Sequence, residues 1–121
     1  MTLMIVDDNL KMRQMITTLF IDMFDSLIEC SSGEEAIDSY EKTFPDWVLM
    51  DIKMKKINGI AATKQIIQKH PEAKIIIITQ YEDTALYDAA INAGAVSYYH
   101  KEDITAIPGF IKSKLSKSDI H

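Results

Sequence analysis

The sequence predicts an α/β fold, a doubly wound five-stranded parallel sheet flanked by five helices. Three observations predict it. Apolar runs of strand length recur along the chain with helix-length stretches between them. Several of these runs are continuous rather than alternating, as strands buried on both faces read. The stretches between them carry helical spacing, and right-handed strand–helix–strand crossovers then place helices on both faces of a parallel sheet.

The elements follow in order. The first strand is Leu3 to Val6, and the helix after it puts Met12, Ile16, Leu19, Phe20 and Met23 on one face. The second strand is Leu27 to Cys30. Ser32 followed by Glu35 is a capping-box pattern that opens the second helix, with Ala36, Ile37 and Tyr40 on its buried side. The third strand is Trp47 to Met50. Its helix runs from near Gly59 through Ile60, Ile66 and Ile67 and stops at His70-Pro71, where proline bars continuation. The fourth strand is Lys74 to Thr79, and the fourth helix runs from Asp83 to a left-handed cap at Gly94. The fifth strand is Val96 to Tyr99. The last helix is the weakest, because Pro108 fits only its first turn, which requires a start at Thr105 or later. Gly109 costs it about 1 kcal/mol relative to alanine. A short helix ending near Leu115, then a polar tail SKSDIH, is the expectation.

Composition narrows the function. A chain of 121 residues suits one domain, taken as 1–121, with no repeat or linker. A net charge of −5 argues against a surface that grips nucleic acid through its phosphates. The single cysteine, Cys30, excludes an internal disulfide and a multi-cysteine zinc site, and reads as a core thiol. No apolar stretch approaches the ~18 residues of a membrane span, and the N-terminus has no signal-peptide pattern. A soluble cytoplasmic protein is expected.

In open parallel sheets, ligands gather beyond the carboxyl ends of the strands. There the first strand ends in Asp7-Asp8, the third in Asp51 and the fourth in Thr79, while Lys101 follows the fifth. Each alone is ordinary: an aspartate capping a loop, a β-branched strand residue, a surface lysine. Together they are not. Adjacent carboxylates repel unless a cation is supplied, and Mg²⁺ prefers carboxylate and phosphate oxygens. Acids, a hard cation, a lysine and a hydroxyl suit phosphoryl transfer, with a carboxylate as nucleophile. No Ser-His-Asp or Cys-His set competes. His70, His100 and His121 read as ordinary surface or loop histidines.

The segments IVDDN, VLMDIKMKKINGI, KIIIITQ and GAVSYYHK resemble the receiver domain of bacterial two-component response regulators, over nearly the whole chain. That resemblance implies the flavodoxin-like, CheY-like strand order 2-1-3-4-5. It implies that Asp51 is the phosphoacceptor, charged by a sensor histidine kinase or a phosphotransfer protein. Asp8, Asp51 and the backbone carbonyl of Lys53 would ligate Mg²⁺, for which Mn²⁺ can substitute, with Asp7 acting through a bound water. Lys101 would pair with Asp51 and then with the phosphoryl group. Thr79 and Tyr98 would be the switch pair, and Lys53, Gln80 and Tyr81 would tune dephosphorylation.

The chain departs from the family pattern at several points. Lys55 replaces a usual proline, Asn58-Gly59 the commoner Asp-Gly, Gln80 a small residue and Glu102 a proline. The long Lys53 and aromatic Tyr81 suggest shielding from water and slow self-dephosphorylation. Without a proline after Lys101, a cis bond there is disfavoured by about 2.5–4 kcal/mol. The stretch from Pro71 to Lys101 resembles receivers of the LuxR and NarL type that precede helix-turn-helix domains. DNA would then be reached through a C-terminal domain outside this chain, not by this domain itself, and phosphorylation could drive homodimerisation. The alternatives are a stand-alone phosphorelay intermediate and a receiver-like interaction domain that is not phosphorylated. A Mg²⁺-dependent phosphohydrolase would want an acid where Lys53 stands, and a nucleotide site would want a glycine-rich loop after the first strand.

Overall fold

β1 (Thr2–Val6) has a strand on each side and helices on each face, and four of its five residues are buried. In the computed structural model, which describes residues 1–54, 56–81 and 83–118, β1 pairs in parallel with β2 (Ser26–Cys30) and β3 (Trp47–Asp51). β4 (Ile75–Thr79) pairs with β3, and β5 (Ser97–His100) with β4. The order is β2-β1-β3-β4-β5, all parallel. The sequence order reverses between β1 and β3, so a crevice opens beyond their carboxyl ends.

Two cores sandwich the sheet. On one face Ile16 and Phe20 of α1 (Leu10–Phe20) and Ile107 and Ile111 of α5 (Ile107–Ser118) pack on Leu3, Ile5, Leu49, Ile76 and Ile78. On the other, α2 (Gly33–Thr43), α3 (Gly59–Lys69) and α4 (Thr84–Asn92) bring Ala36, Tyr40, Ala62, Ile66 and Ala90 onto Met4, Val6, Val48, Met50, Ile75 and Ile77. The four isoleucines of β4 alternate between the two cores and are all fully buried. Each contributes about 1.5–3 kcal/mol of transfer free energy. Cys30 lies in the core, where burial pushes its thiol up to about 11.

Side-chain caps set the helix starts. Asn9, Ser32, Asn58 and Asp83 each accept a backbone N–H from the first turn of the helix that follows, at 2.8–3.1 Å. Such caps are worth about 1 kcal/mol apiece. α4 ends one residue before Ala93, and Gly94 follows with φ +108°, its α-carbon so near Ile67 that a Cβ would lie 2.8 Å from Cγ2. Glycine is required there for both reasons.

Several details differ from the sequence reading. A 3₁₀ helix, Lys101–Ala106, intervenes between β5 and α5. α5 continues through Ser118 instead of ending near Leu115, because no proline or glycine follows Leu115 and Ile107, Ile111 and Leu115 form one stripe against the sheet. Pro108 does sit in its first turn. Lys74 and Val96 fall just outside the strands. Lys55, His121 and the rest of the tail beyond Ser118 lie outside the described residues. No helix of the described residues is long and apolar enough to cross a membrane.

Candidate functional site

The strand ends define the site. Asp7 directly follows β1, Asp51 closes β3, Thr79 closes β4 and Lys101 directly follows β5. Carboxylate oxygens of Asp7, Asp8 and Asp51 lie within 4.8 Å of one another. Asp7 and Asp51 are buried, and Asp8 faces solvent. With Asn9, Lys53, Gln80 and Lys101 they line a cleft of about 260 Å³.

Every group around the acids has a backbone reason to be there. Asp7 Oδ1 accepts the N–H of Asn9 at 2.9 Å, and the Arg13 guanidinium donates to the Asp7 carbonyl at 2.6 Å. The same guanidinium pairs with Glu29 at 3.1 Å, which anchors α1 to the end of the sheet. Lys101 Nζ reaches Asp7 Oδ2 at 3.2 Å and Asp51 Oδ1 at 3.3 Å. Burial, and then the Asp7 carboxylate, push the Asp51 carboxyl up to about 6 against the pull of Lys101. Burial opposes the Lys101 charge, yet Asp51 and Asp7 outweigh it and hold the ammonium above its ordinary value.

One ammonium among three carboxylates leaves the cluster with excess negative charge. Hard, partly buried oxygen donors carrying excess negative charge fit a divalent cation of the Mg²⁺ type. The residues present therefore fit the metal that the sequence implied.

The remaining candidates surround the cleft. Thr79 is buried, and its hydroxyl accepts the Tyr81 N–H at 3.1 Å. Tyr98 lies outside the cleft: its hydroxyl donates to the Tyr81 carbonyl at 3.2 Å, and its ring meets Tyr87 edge-on at 5.4 Å. Lys53 and Tyr81 join across the two loops, Nζ to hydroxyl at 2.9 Å, with Gln80 donating to the same hydroxyl at 3.2 Å. That bond raises Lys53 and lowers the Tyr81 phenol relative to their ordinary values.

A sequence model of the response regulator receiver domain matches residues 3–108. The chain belongs to that family. It is 31% identical over 102 residues to the transcriptional regulatory protein DegU of Brevibacillus brevis, covering 83% of this chain and 43% of that one. It is 37% identical over 99 residues to the chemotaxis protein CheY of Thermotoga maritima, covering 81% and 82% of the two chains. The CheX-CheY-BeF3-Mg²⁺ complex of Borrelia burgdorferi matches with a TM-score of 0.87 at 25% identity, over 94% of this chain and 88% of that one. The chain spans about half the length, or less, of the first transcriptional regulators it matches. It is thus a receiver domain of two-component signalling with the CheY-like fold.

Sequence reasoning missed His100 and the reason for Gly59. His100 has both ring nitrogens engaged, one with the Gln80 carbonyl and one with the Glu102 N–H. The second contact is local, but histidine is not one of the usual helix-capping residues, so it carried no clear signal. The first joins residues from different strand ends and carried none.

Proposed function

We propose that this receiver unit, residues 1–121, takes a phosphoryl group onto Asp51 from a phosphohistidine of a partner kinase or phosphotransfer protein. An Asp51 oxygen attacks phosphorus, the P–N bond breaks, and its electron pair returns to the imidazole, which takes up a proton. The observation that carries this reading is the buried Asp51 carboxylate held beside Lys101 within the three-acid cluster. Asp8, Asp51 and the Lys53 carbonyl would hold Mg²⁺, with Asp7 behind a water, and the bound ion supplies charge neutralisation for the phosphoryl oxygens. Lys101 follows the developing charge from the carboxylate to a phosphoryl oxygen. Exposed Met15, with Lys11 and Met12, lines a groove that shares Asn9, Gln80 and Lys101 with the cleft and would offer a donor a landing surface.

The switch follows from the hydrogen bonds now in place. A phosphoryl group brings new acceptor oxygens. Thr79 leaves the Tyr81 N–H to donate to one of them, and the Tyr81 carbonyl that holds Tyr98 shifts with the loop. The repacked face of α4, β5 and α5 then carries the output, through a partner, through dimerisation, or through a DNA-binding domain beyond this segment.

The test is incubation with phosphoramidate or acetyl phosphate with and without Mg²⁺, read by intact mass and peptide mapping. The expected result is a Mg²⁺-dependent gain of one phosphoryl group on Asp51. No gain from a small donor or a phosphohistidine protein would overturn the proposal. A second outcome concerns lifetime. Lys53 and Gln80 line the cleft and Tyr81 bonds to both, so the three together would narrow the path of water to the acyl phosphate. Tyr81→Ala should shorten the phosphoryl half-life about five-fold, the equivalent of about 1 kcal/mol of barrier. An unchanged decay rate would remove the bridge from the mechanism.

A further inference from the structure

Lys101 must place a flexible four-carbon chain between two carboxylates, yet the residue after it is Glu102 and no peptide bond among the described residues is cis. The backbone at this point opens a 3₁₀ helix, whose hydrogen bonding is weaker than that of an α-helix. Something else has to hold it. His100, the last residue of β5, stands opposite Thr79 in the sheet register. Its Nδ1 accepts the Glu102 N–H at 3.1 Å, and its Nε2 lies 2.9 Å from the Gln80 carbonyl oxygen. A carbonyl only accepts and an amide N–H only donates, so the ring is neutral with its hydrogen on Nε2.

We infer that His100 is the positioning residue for Lys101, its imidazole tying the peptide between Lys101 and Glu102 to the peptide between Gln80 and Tyr81. The ring closes a bridge around Lys101: β5 on one side, the capped 3₁₀ turn on the other, and the β4–α4 loop across from both. With its backbone fixed at those points, the Lys101 side chain reaches Asp7 and Asp51 together. The inference rests on the phosphoacceptor reading above, but it concerns how this chain holds its lysine. His100 touches none of the three acids in any hydrogen bond or ion pair found, so it acts through Lys101 and not on the metal ligands.

Three variants separate the two bonds. His100→Asn keeps an oxygen that can cap the Glu102 N–H but is too short to reach Gln80. His100→Gln keeps a donor for the Gln80 carbonyl but loses the cap. His100→Ala loses both. With phosphoramidate and saturating Mg²⁺, His100→Ala should slow phosphoryl gain about ten-fold or more, with Asn and Gln between it and the parent. Mg²⁺ affinity by calorimetry should change far less. In a Lys101→Met background, His100→Ala should cost nothing further, because the residue it positions is gone.

Parent-level rates in all three variants would overturn the inference, as would an undiminished effect in the Lys101→Met background. Nitrogen NMR of the parent imidazole should show a bare Nδ1 and a protonated Nε2, and the opposite tautomer would also overturn it. That spectrum needs no phosphorylation and no folded variant. A parent that takes no phosphoryl group yet shows the expected tautomer would sink the functional reading and leave the clamp standing.

Discussion

Asp51→Asn is expected to abolish phosphoryl gain and, in the metal-free protein at pH 8, to raise stability by about 1–3 kcal/mol. The first effect follows from losing the nucleophile. The second follows from the cost of the charge. An unperturbed Asp carboxyl titrates near 3.8, whereas burial and the Asp7 carboxylate push this one up to about 6. The folded state therefore binds the Asp51 proton more tightly than the unfolded state does. Below pH 4 both states are protonated and the residue costs nothing. As pH rises from about 4 to about 6 stability falls, and above 6 the full penalty of about 3 kcal/mol remains. The value of about 6 already includes the pull of Lys101, and the lower end of the range allows for the polar atoms that an amide would itself bury there. Chemical denaturation of both proteins at pH 4.5 and pH 8 measures it, with the variant's advantage about 2 kcal/mol larger at the higher pH. Mg²⁺ should then favour the parent alone, by about 2.7 kcal/mol at a hundred times its dissociation constant. A variant less stable than the parent at pH 8 without metal would show that Asp51 is not strained by its neighbours.

The strand ends were legible because each functional group sits at the boundary of an apolar run. Asp7, Asp51 and Thr79 need only the strand boundary and the parallel topology to converge, and both are written in local pattern. The strand order came from family resemblance, since periodicity alone does not fix which strands are neighbours. What the sequence hid was contact between loops. Lys53 and Tyr81 are 28 residues apart, and His100 and Gln80 are 20 apart, with no periodicity linking either pair. The 3₁₀ helix was hidden for a different reason. It is short, it draws its cap from a histidine rather than from Ser, Thr, Asp or Asn, and Asp103 within it departs from helical geometry at φ −101°. The start of α3 at Gly59 was legible, but the absence of room for a Cβ there was not, because Gly59 and the Asp51 carbonyl meet only in the fold.

Gly59→Ala should be the most damaging single-methyl change in the chain. Among the glycines only Gly94 has positive φ, so conformational freedom is not what position 59 requires. Space is. A Cβ on Gly59 would lie 1.9 Å from the Asp51 carbonyl oxygen, 2.8 Å from its carbonyl carbon and 2.9 Å from Met50 Cγ. The first two obstacles are backbone at the end of a fully buried strand, and the Gly59 N–H is itself bonded to the Ile52 carbonyl at 2.7 Å. Neither side can yield like a flexible side chain, so the start of α3 or the end of β3 must move by about an ångström. Overpacking usually costs about 1–3 kcal/mol, and a clash between two backbones belongs at or above the top of that range. The expected loss is about 3 kcal/mol or more in a urea titration. The shift also carries Asp51 away from Lys101 and Asp8, so residual phosphoryl gain should fall by about a hundred-fold even in the folded fraction. Gly109→Ala is the matched control, because a Cβ there meets nothing within 4 Å in the first turns of α5. It should stabilise by about 0.5–1 kcal/mol and leave phosphorylation unchanged. If the two variants melt alike, the close approach of α3 to the Asp51 carbonyl is not a constraint on this fold.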